Sequence, residues 1–124
     1  MIRQPLISIG ITCFNSEKTI LKSLNSALKQ TWVNKEIIIV DDYSNDNTIN
    51  LIKEYIEKYK NFKLLRHDKN YGYPHALNTI IKNSSGEYIA FFDSDDESKK
   101  DRIEKQYYRL INYGKEHKTS NIIC

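Results

Sequence analysis

The sequence predicts a three-layer α/β/α fold built around a mostly parallel sheet. Four short apolar runs, rich in β-branched and aromatic residues, alternate with four segments in which apolar residues recur every three or four positions. Short continuous apolar runs are typical of strands covered on both faces, and the longer spacing is typical of helices that bury one face. Strands and helices that alternate in this way form right-handed βαβ units.

The composition is that of one soluble globular domain. The chain has 124 residues, of which 40% are hydrophobic, and its formal net charge is +3. Acidic and basic residues are mixed along it, so nucleic-acid binding gains little support. No apolar run approaches the roughly 18 residues that a membrane span requires. Residues 1–5 lead directly into the first strand without a secretory signal, and we therefore expect a cytoplasmic location.

The first half of the chain predicts two strands, at residues 6–12 and 36–40, each followed by a helix. The residues with helical spacing are Ile20, Leu24, Ala27 and Leu28 in the first helix, and Ile49, Ile52, Ile56 and Tyr59 in the second. Short polar side chains accept hydrogen bonds from the free amides at a helix start. We therefore expect Asn15 or Ser16 to cap the first helix, and Asn45 or Asp46 to cap the second.

The second half repeats the pattern, with strands at residues 62–66 and 87–92. The helical spacing is carried by Leu77, Ile80 and Ile81, and then by Ile103, Tyr107, Leu110 and Ile111. Pro74 suits the first turn of the third helix, and Gly86 is predicted to end that helix in the left-handed conformation. Ser98 is the predicted cap of the fourth helix. Residues 122–124 resemble a further strand that is cut short.

Polar residues follow each of the four strands, at residues 12–15, 41–44, 67–72 and 93–96. In open parallel α/β sheets, ligands bind beyond the carboxyl ends of the strands. Chance would scatter polar clusters over both edges of the sheet, whereas all four fall at the carboxyl edge. The sequence therefore predicts a ligand site at that edge.

The acidic run at residues 93–96 is the strongest candidate for chemistry. Neighbouring carboxylates repel one another unless a cation, hydrogen bonds or solvent offset their charge. A hard divalent cation such as Mg²⁺ or Mn²⁺ takes one or two carboxylates together with phosphate oxygens, and could neutralise a diphosphate leaving group. The alternative is a solvated acidic turn that caps the next helix. The apolar strand directly before the run favours the cation site.

Other residues of this edge have two interpretations each. A carboxylate of the Asp41-Asp42 pair can accept a hydrogen bond from a base or a ribose hydroxyl, or the pair can cap the next helix together with Ser44, Asp46 and Asn47. Phe14 can line a base pocket beside Thr12, or pack in the core. Gly72 permits a positive φ before a helix start that favours anions. His75, in the first turn of that helix, either reaches a phosphate or is an ordinary surface residue.

His67, His117 and Cys13 are predicted to have structural roles and no part in binding or catalysis. His67 and His117 have no partner at metal-binding spacing. Cys13 and Cys124 show no metal or disulfide pattern, and Cys13 is expected to be a small buried hydrophobe.

In order and spacing, these stretches resemble the N-terminal part of family 2 glycosyltransferases of the GT-A fold. The matching stretches are residues 7–17, 23–32, 36–48, 70–78 and 85–96. The resemblance implies that residues 1–124 form a donor domain that binds a nucleotide-diphosphate sugar, with a UDP-sugar favoured, together with Mn²⁺ or Mg²⁺. It also implies transfer of the sugar, with inversion, to the hydroxyl of a glycan or lipid-linked acceptor.

The resemblance also implies roles for individual residues. Those that would contact the base and ribose are Thr12, Phe14, Asn15, Glu17 and Asp42. Those that would border the phosphates and the sugar are Asn70, Gly72, His75 and Ser94. Asp93 would meet the ribose or donor sugar, and Asp95, in the Asp93-Ser94-Asp95 (DxD) arrangement, would bind the metal with it.

The chain departs from the family pattern at three positions. Tyr43 stands where the family usually has Gly, Leu77 replaces a common Arg, and Gly10 replaces an apolar residue of the first strand. The acceptor-side segment, with the general base that deprotonates the acceptor, is expected beyond residue 124. We therefore expect a truncated chain that binds nucleotide but transfers sugar weakly or not at all. Any peripheral membrane association is expected through the same missing regions.

Two other functions compete with this interpretation. Residues 38–42 are similar to the acidic pair of phospho-acceptor receiver domains, with Asp93 as the acceptor and Lys105 as its partner. That pair normally closes the first strand, whereas here a strand and a helix precede it. A nucleotidyltransferase is the second alternative, but its Gly- and Arg-rich N-terminal loop is missing.

Overall fold

A computed structural model describes residues 4–95, 97–116 and 122–123, and it confirms the predicted α/β class. Nine elements follow one another: β1 (Ile7–Cys13), α1 (Ile20–Leu28), β2 (Lys35–Asp41), α2 (Thr48–Lys58), β3 (Phe62–Arg66), α3 (Tyr73–Asn83), β4 (Tyr88–Asp93), α4 (Arg102–Glu116) and β5 (Ile122–Ile123). The strands form one sheet in the order β3-β2-β1-β4-β5. Every described pairing is parallel.

The strand order places a crevice at the middle of the sheet. The chain builds outward from β1 through β2 to β3, and then returns to place β4 on the other side of β1. At the carboxyl edge, Cys13 pairs with Asp41 and Thr12 pairs with Asp93. Ligand sites in open α/β sheets lie where the strand order reverses in this way. The loops after β1, β2 and β4 therefore converge, as the sequence predicts.

The helices cover both faces of the sheet. On one face, Ile7, Ile9 and Ile11 of β1 pack in a fully buried cluster with residues of α1, α2 and α4. On the other face, Ile38 and Val40 of β2 pack against α3. Consecutive residues of a strand point to opposite faces, so a continuous apolar run supplies both clusters. None of the helices within the described ranges is long and apolar enough to cross a membrane.

Gly10, within β1, and Gly86, just before β4, are required by close contacts. A Cβ on Gly86 would lie 2.6 Å from the backbone nitrogen of Ser8, and a Cβ on Gly10 would lie 2.5 Å from Cγ2 of Ile80. The prediction that Gly86 ends α3 in the left-handed conformation is wrong. The helix ends at Asn83 and is followed by an extended Ser84, with φ −85° and ψ 135°.

The predicted helix caps are mostly wrong because the helices begin later than expected. α1 begins at Ile20 with no side-chain cap, so neither Asn15 nor Ser16 has that role. At α2, the carboxylate of Asp46 accepts a hydrogen bond from the Thr48 amide at 2.9 Å, although the capping position itself is Asn47. Ser98 precedes α4 by a full turn, and its hydroxyl accepts a hydrogen bond from the side chain of Arg102.

Candidate functional site

An open pocket with a volume of about 860 Å³ lies beyond the carboxyl ends of β1, β2 and β4. It is lined by all of the predicted site residues except His75, namely Thr12, Phe14, Asn15, Glu17, Asp42, Asn70, Gly72, Asp93, Ser94 and Asp95. Residues that the sequence analysis did not predict to bind the ligand also line it: Ser16, Lys18, Thr19, Asp46, Tyr73 and Ala76. The fold therefore brings the polar ends of its strands to one concave surface.

Asp42 forms one end of this pocket, and its carboxylate is held from three directions. Oδ1 accepts hydrogen bonds from the Tyr71 amide at 2.9 Å and from Nδ1 of His67 at 2.8 Å. Oδ2 accepts one from the Gly72 amide at 2.9 Å. Burial alone would raise the pKa of Asp42, but these hydrogen bonds outweigh it and hold that pKa below its ordinary value. Asp42 is therefore an ionised acceptor with a fixed orientation.

Asp41 has a different role from its neighbour. Its side chain is fully buried and does not line the pocket. It accepts hydrogen bonds from the amide and hydroxyl of Ser44, at 2.9 and 2.5 Å, and lies 3.5 Å from Nε of Arg66. Asp41 therefore closes the turn after β2, and Asp42 alone of the pair is available to a ligand.

The loop after β1 forms the wall of the pocket. Phe14 is 47% exposed, so the alternative that it packs in the core is wrong. The side chain of Asn15 accepts a hydrogen bond from the Asn45 amide at 2.9 Å, and that of Glu17 accepts one from the Asn47 amide at 3.1 Å. Both side chains thus fasten this loop to the loop after β2.

Cys13 lies behind the same loop. It is buried, as predicted, and its thiol contacts Oδ1 of Asp41 at 3.4 Å. Burial first, and the neighbouring Asp41 carboxylate second, raise the pKa of Cys13 far above its ordinary range. The thiol is therefore an unreactive packing group. Cys124 and His117 lie outside the described residues.

The acidic end of the pocket lies opposite Asp42. The side chains of Asp93 and Asp95 are exposed, and the hydroxyl of Ser94 between them lies 2.9 Å from that of Ser16. The hydroxyl of Ser23 donates to the backbone oxygen of Asp93 at 2.8 Å. Within the described ranges, no group of three or more His, Cys, Asp or Glu side chains is arranged to hold a metal. Asp96 lies outside those ranges.

Ser16 and Ser23 contact the loop of Asp93 and Ser94, and sequence reasoning did not predict these contacts. Ser23 is fully buried within the apolar face of α1, between Ile20 and Leu24. A buried hydroxyl in an apolar helix face needs a hydrogen-bond partner, and that was the available signal. Its partner is the last residue of β4, so Ser23 fixes the strand end from which the acidic loop departs.

The start of α3 forms the floor beside Asp42. Gly72 has a φ of 96°, which confirms the predicted positive φ, and Pro74 lies in the first turn. This helix start presents free amides, which favour an anion. His75 is exposed and stacks on the ring of Tyr71, with centroids 4.4 Å apart. His75 is not among the residues that line the pocket, and its predicted place beside a phosphate stays a prediction.

Comparison with known proteins gives a consistent result. Residues 8–121 match the family model described as Glycosyl transferase family 2. The chain is 41% identical over 106 residues to the Escherichia coli UDP-Glc:alpha-D-GlcNAc-diphosphoundecaprenol beta-1,3-glucosyltransferase WfgD, covering 86% of this chain and 41% of that protein. It is 38% identical over 105 residues to an uncharacterized glycosyltransferase of Haemophilus influenzae, covering 85% of this chain and 42% of that protein.

Solved structures share the fold. Residues 1–349 of S. aureus TarS in complex with UDP-GlcNAc match with a TM-score of 0.72 and 32% identity, over 90% of this chain and 31% of that one. The mannosyltransferase PcManGT from Pyrobaculum calidifontis, in complex with GDP-Man and Mn²⁺, matches with a TM-score of 0.82 over 87% of this chain and 33% of that one. Its identity is 22%, which supports the fold alone. The chain spans about two fifths of the length of the curated relatives named above.

Proposed function

The chain belongs to glycosyl transferase family 2, and on that basis we propose that it forms the donor-binding part of an enzyme that transfers a sugar from a nucleoside diphosphate to an acceptor hydroxyl. One observation carries the proposal. Asp42 and the Asp93–Asp95 loop line the same pocket at the point where the strand order reverses. A nucleoside diphosphate has a neutral base that donates hydrogen bonds at one end and a strongly anionic group at the other, and this pocket offers a partner for each.

The base and ribose are proposed to lie at the Asp42 end. Each carboxylate oxygen accepts about two hydrogen bonds. Two donors already use Oδ1, whereas only the Gly72 amide uses Oδ2. Oδ2 therefore retains capacity for a base N–H or a ribose hydroxyl, with Thr12 and the exposed ring of Phe14 beside it. The TarS complexes with UDP and UDP-GlcNAc make uridine the preferred base of this proposal.

The diphosphate is proposed to lie between the start of α3 and the Asp93–Asp95 loop, together with Mn²⁺ or Mg²⁺. Such a hard cation takes one or two carboxylates and fills its other positions with phosphate oxygens and water. Two exposed carboxylates, from Asp93 and Asp95, fit that requirement without a third protein ligand. When bound, the ion neutralises the charge of the diphosphate leaving group. The Mn²⁺ in the PcManGT complex is in keeping with this assignment.

The acceptor is proposed to be a glycan or a lipid-linked sugar, in keeping with the lipid-linked substrate in the name of WfgD. Inverting transfer needs a base that deprotonates the acceptor hydroxyl as it attacks the anomeric carbon. We assign none of the described residues to that role.

Family membership also decides between the alternatives raised by the sequence. A receiver domain would use Lys105 beside a phosphorylated Asp93, but Lys105 of α4 instead pairs with Asp101, the residue before that helix, at 3.0 Å. The match over residues 8–121 is to glycosyl transferases, and this leaves neither the receiver nor the nucleotidyltransferase with support.

Calorimetric titration of the chain with UDP tests the proposal. We expect binding in Mn²⁺ or Mg²⁺ that is lost in a chelator, and loss of that metal dependence in Asp95→Asn. Asp42→Asn should weaken UDP binding while leaving the metal dependence in place. Glu57→Gln, which removes an exposed carboxylate of α2 outside the pocket, is the matched control. Equal UDP affinity with and without chelator would overturn the metal role, and unchanged affinity in Asp42→Asn would overturn the base end.

A further inference from the structure

Behind Asp42 lies a partly buried chain of hydrogen bonds that the proposed donor site does not explain. Nδ1 of His67 is 2.8 Å from Oδ1 of Asp42, and Nε2 of His67 is 2.9 Å from the hydroxyl of Thr79. The Thr79 hydroxyl in turn donates to the backbone oxygen of His75 at 3.1 Å. His67 does not line the pocket, so a ligand there meets Asp42 but not the imidazole.

The direction of the hydrogen bond to Asp42 follows from the chemistry of its two groups. An ionised carboxylate only accepts, so Nδ1 of His67 carries a hydrogen and donates it to Asp42. Nε2 and the Thr79 hydroxyl lie within hydrogen-bond distance on the other side of the ring. Since Asp42 is ionised, the hydrogen bond that its carboxylate accepts from Nδ1 is charge-assisted. A charge-assisted hydrogen bond of this kind is shorter and stronger than a neutral one.

The surroundings of His67 leave the ring little freedom. Its side chain is 9% exposed, and its backbone amide donates to the oxygen of Asp41 at 2.9 Å. The rings of Tyr71 and His75 pack edge-to-face on it, with centroids 5.2 and 5.1 Å away. The imidazole is thus fixed by β2, by the loop before α3 and by α3 itself.

From this geometry we propose that His67 is a positioning residue for the nucleoside end of the donor. It occupies Oδ1 of Asp42 from behind the pocket, and this leaves Oδ2 as the oxygen that faces an incoming base or ribose. Tyr71 and Gly72, at the end of the loop that His67 begins, hold the same carboxylate through their backbone amides. His67 supplies the only side-chain donor to the Asp42 carboxylate among the described residues.

This role rests on the proposed donor site. It predicts that removing the His67 imidazole weakens binding of the nucleoside part of the ligand and leaves binding of the diphosphate part unchanged. His67→Phe keeps a buried ring and removes the donor to Oδ1. We expect it to weaken UDP binding roughly tenfold, the effect of losing a hydrogen bond to a charged group. Affinity for inorganic pyrophosphate with Mn²⁺ should stay unchanged, because pyrophosphate has no base or ribose. A general distortion of the pocket would weaken both ligands together.

Two conservative variants separate the two ring nitrogens. The amide nitrogen of His67→Asn lies close to the position of Nδ1, and that of His67→Gln lies close to Nε2. We therefore expect Asn to restore most of the UDP affinity and Gln to restore little. Thr79→Val, which removes the partner of Nε2 while keeping the shape of the side chain, should weaken UDP binding by less than His67→Phe.

The experiment is calorimetric titration of the wild type and these variants with UDP and with pyrophosphate, both in Mn²⁺, after thermal unfolding has shown that each variant is folded. Loss of UDP affinity alone in His67→Phe, with rescue by Asn, supports the role. Unchanged UDP binding in His67→Phe, or equal loss for both ligands, overturns it while leaving the donor site standing. A wild type that binds pyrophosphate but no UDP overturns the nucleoside end of the donor site, and this role with it.

Discussion

Adding a single methyl group at Gly10 tests how α3 is held against the sheet. A Cβ at this position would lie 2.5 Å from Cγ2 of Ile80 and 2.9 Å from Cδ1. Carbon atoms in optimal contact are about 3.5–4.0 Å apart, so the new methyl group overlaps the Ile80 side chain by about an ångström. Ile80 is fully buried and β-branched, so it has no alternative rotamer in solvent. Gly10→Ala should therefore cost about 1–3 kcal/mol of folding free energy through overpacking.

A second substitution should recover part of this cost. Ile80→Ala removes all three of the carbon atoms that the new methyl group would meet, but alone it leaves a cavity and costs roughly 2–5 kcal/mol. In the double variant, the methyl group of residue 10 enters the space that the isoleucine has left. The double variant should therefore lose less unfolding free energy than Gly10→Ala and Ile80→Ala lose in total, and the difference should be about 1–3 kcal/mol.

Urea unfolding of the wild type, the two single variants and the double variant measures this coupling. The midpoint should shift while the m value stays constant, which shows that stability rather than compactness has changed. Ile52→Ala, a fully buried residue on the opposite face of the sheet, gives the matched control. Its cost should add to that of Gly10→Ala within about 0.5 kcal/mol. Additive costs for Gly10 and Ile80 would refute the claim that α3 seats its Ile80 side chain over the glycine.

Two further predictions concern residues that hold the site. Gln30→Leu should lower the free energy of unfolding, measured in urea, by roughly 2–4 kcal/mol. The buried Gln30 amide donates to the backbone oxygens of Ser26 and Lys99 and accepts from the Ile103 amide at the start of α4, and leucine cannot replace these hydrogen bonds. The control is Thr31→Ala at the exposed neighbouring position, which should lower it by less than about 1 kcal/mol. The pKa of Asp42 is held below its ordinary value of 3.8, so the stability that its ionised form contributes is present above pH 3.8 and is lost as pH falls through the lower pKa of the folded state. The difference in unfolding free energy between wild type and Asp42→Asn should therefore shrink as pH falls below 3.8, and a constant difference would contradict the assignment.

The sequence was sufficient to predict the fold and the edge at which the pocket lies, because both depend on local patterns. Residues 37–40 of the predicted second strand are apolar at every position, so they identify a strand buried on both faces whatever its neighbours are. The polar residues that follow each strand then mark the same edge. Residues such as Asp42 and Asp93 could be placed together by topology alone.

Contacts between distant parts of the chain could not be predicted in the same way. Ser98 was predicted to cap α4, but Gln30 does so instead. The side-chain oxygen of Gln30 accepts a hydrogen bond from the Ile103 amide, and the two residues are 73 positions apart in the sequence. The contact of His67 with Asp42 exists only because β2 and β3 are neighbours in the sheet. Gly86 is required by Ser8 in a different strand and not by the end of its own helix.

Tyr43 has a backbone conformation that usually requires glycine, and contacts of the surrounding residues hold it there. Its φ of 71° lies in the left-handed region, which is where the resemblance places a glycine. For a residue with a Cβ, this conformation costs about 1–2 kcal/mol. Asp41 before it and Ser44 after it are joined by two hydrogen bonds, and Arg66 donates to the Ser44 oxygen at 2.8 Å. The Arg66 guanidinium also lies 5.5 Å from the centroid of the Tyr43 ring, a contact that is worth about 0.5–1 kcal/mol at an exposed site. The turn is therefore set by residues on both sides of Tyr43, and its own side chain recovers part of the backbone strain. This is why the pocket can present Asp42 in a fixed orientation without a glycine at the next position.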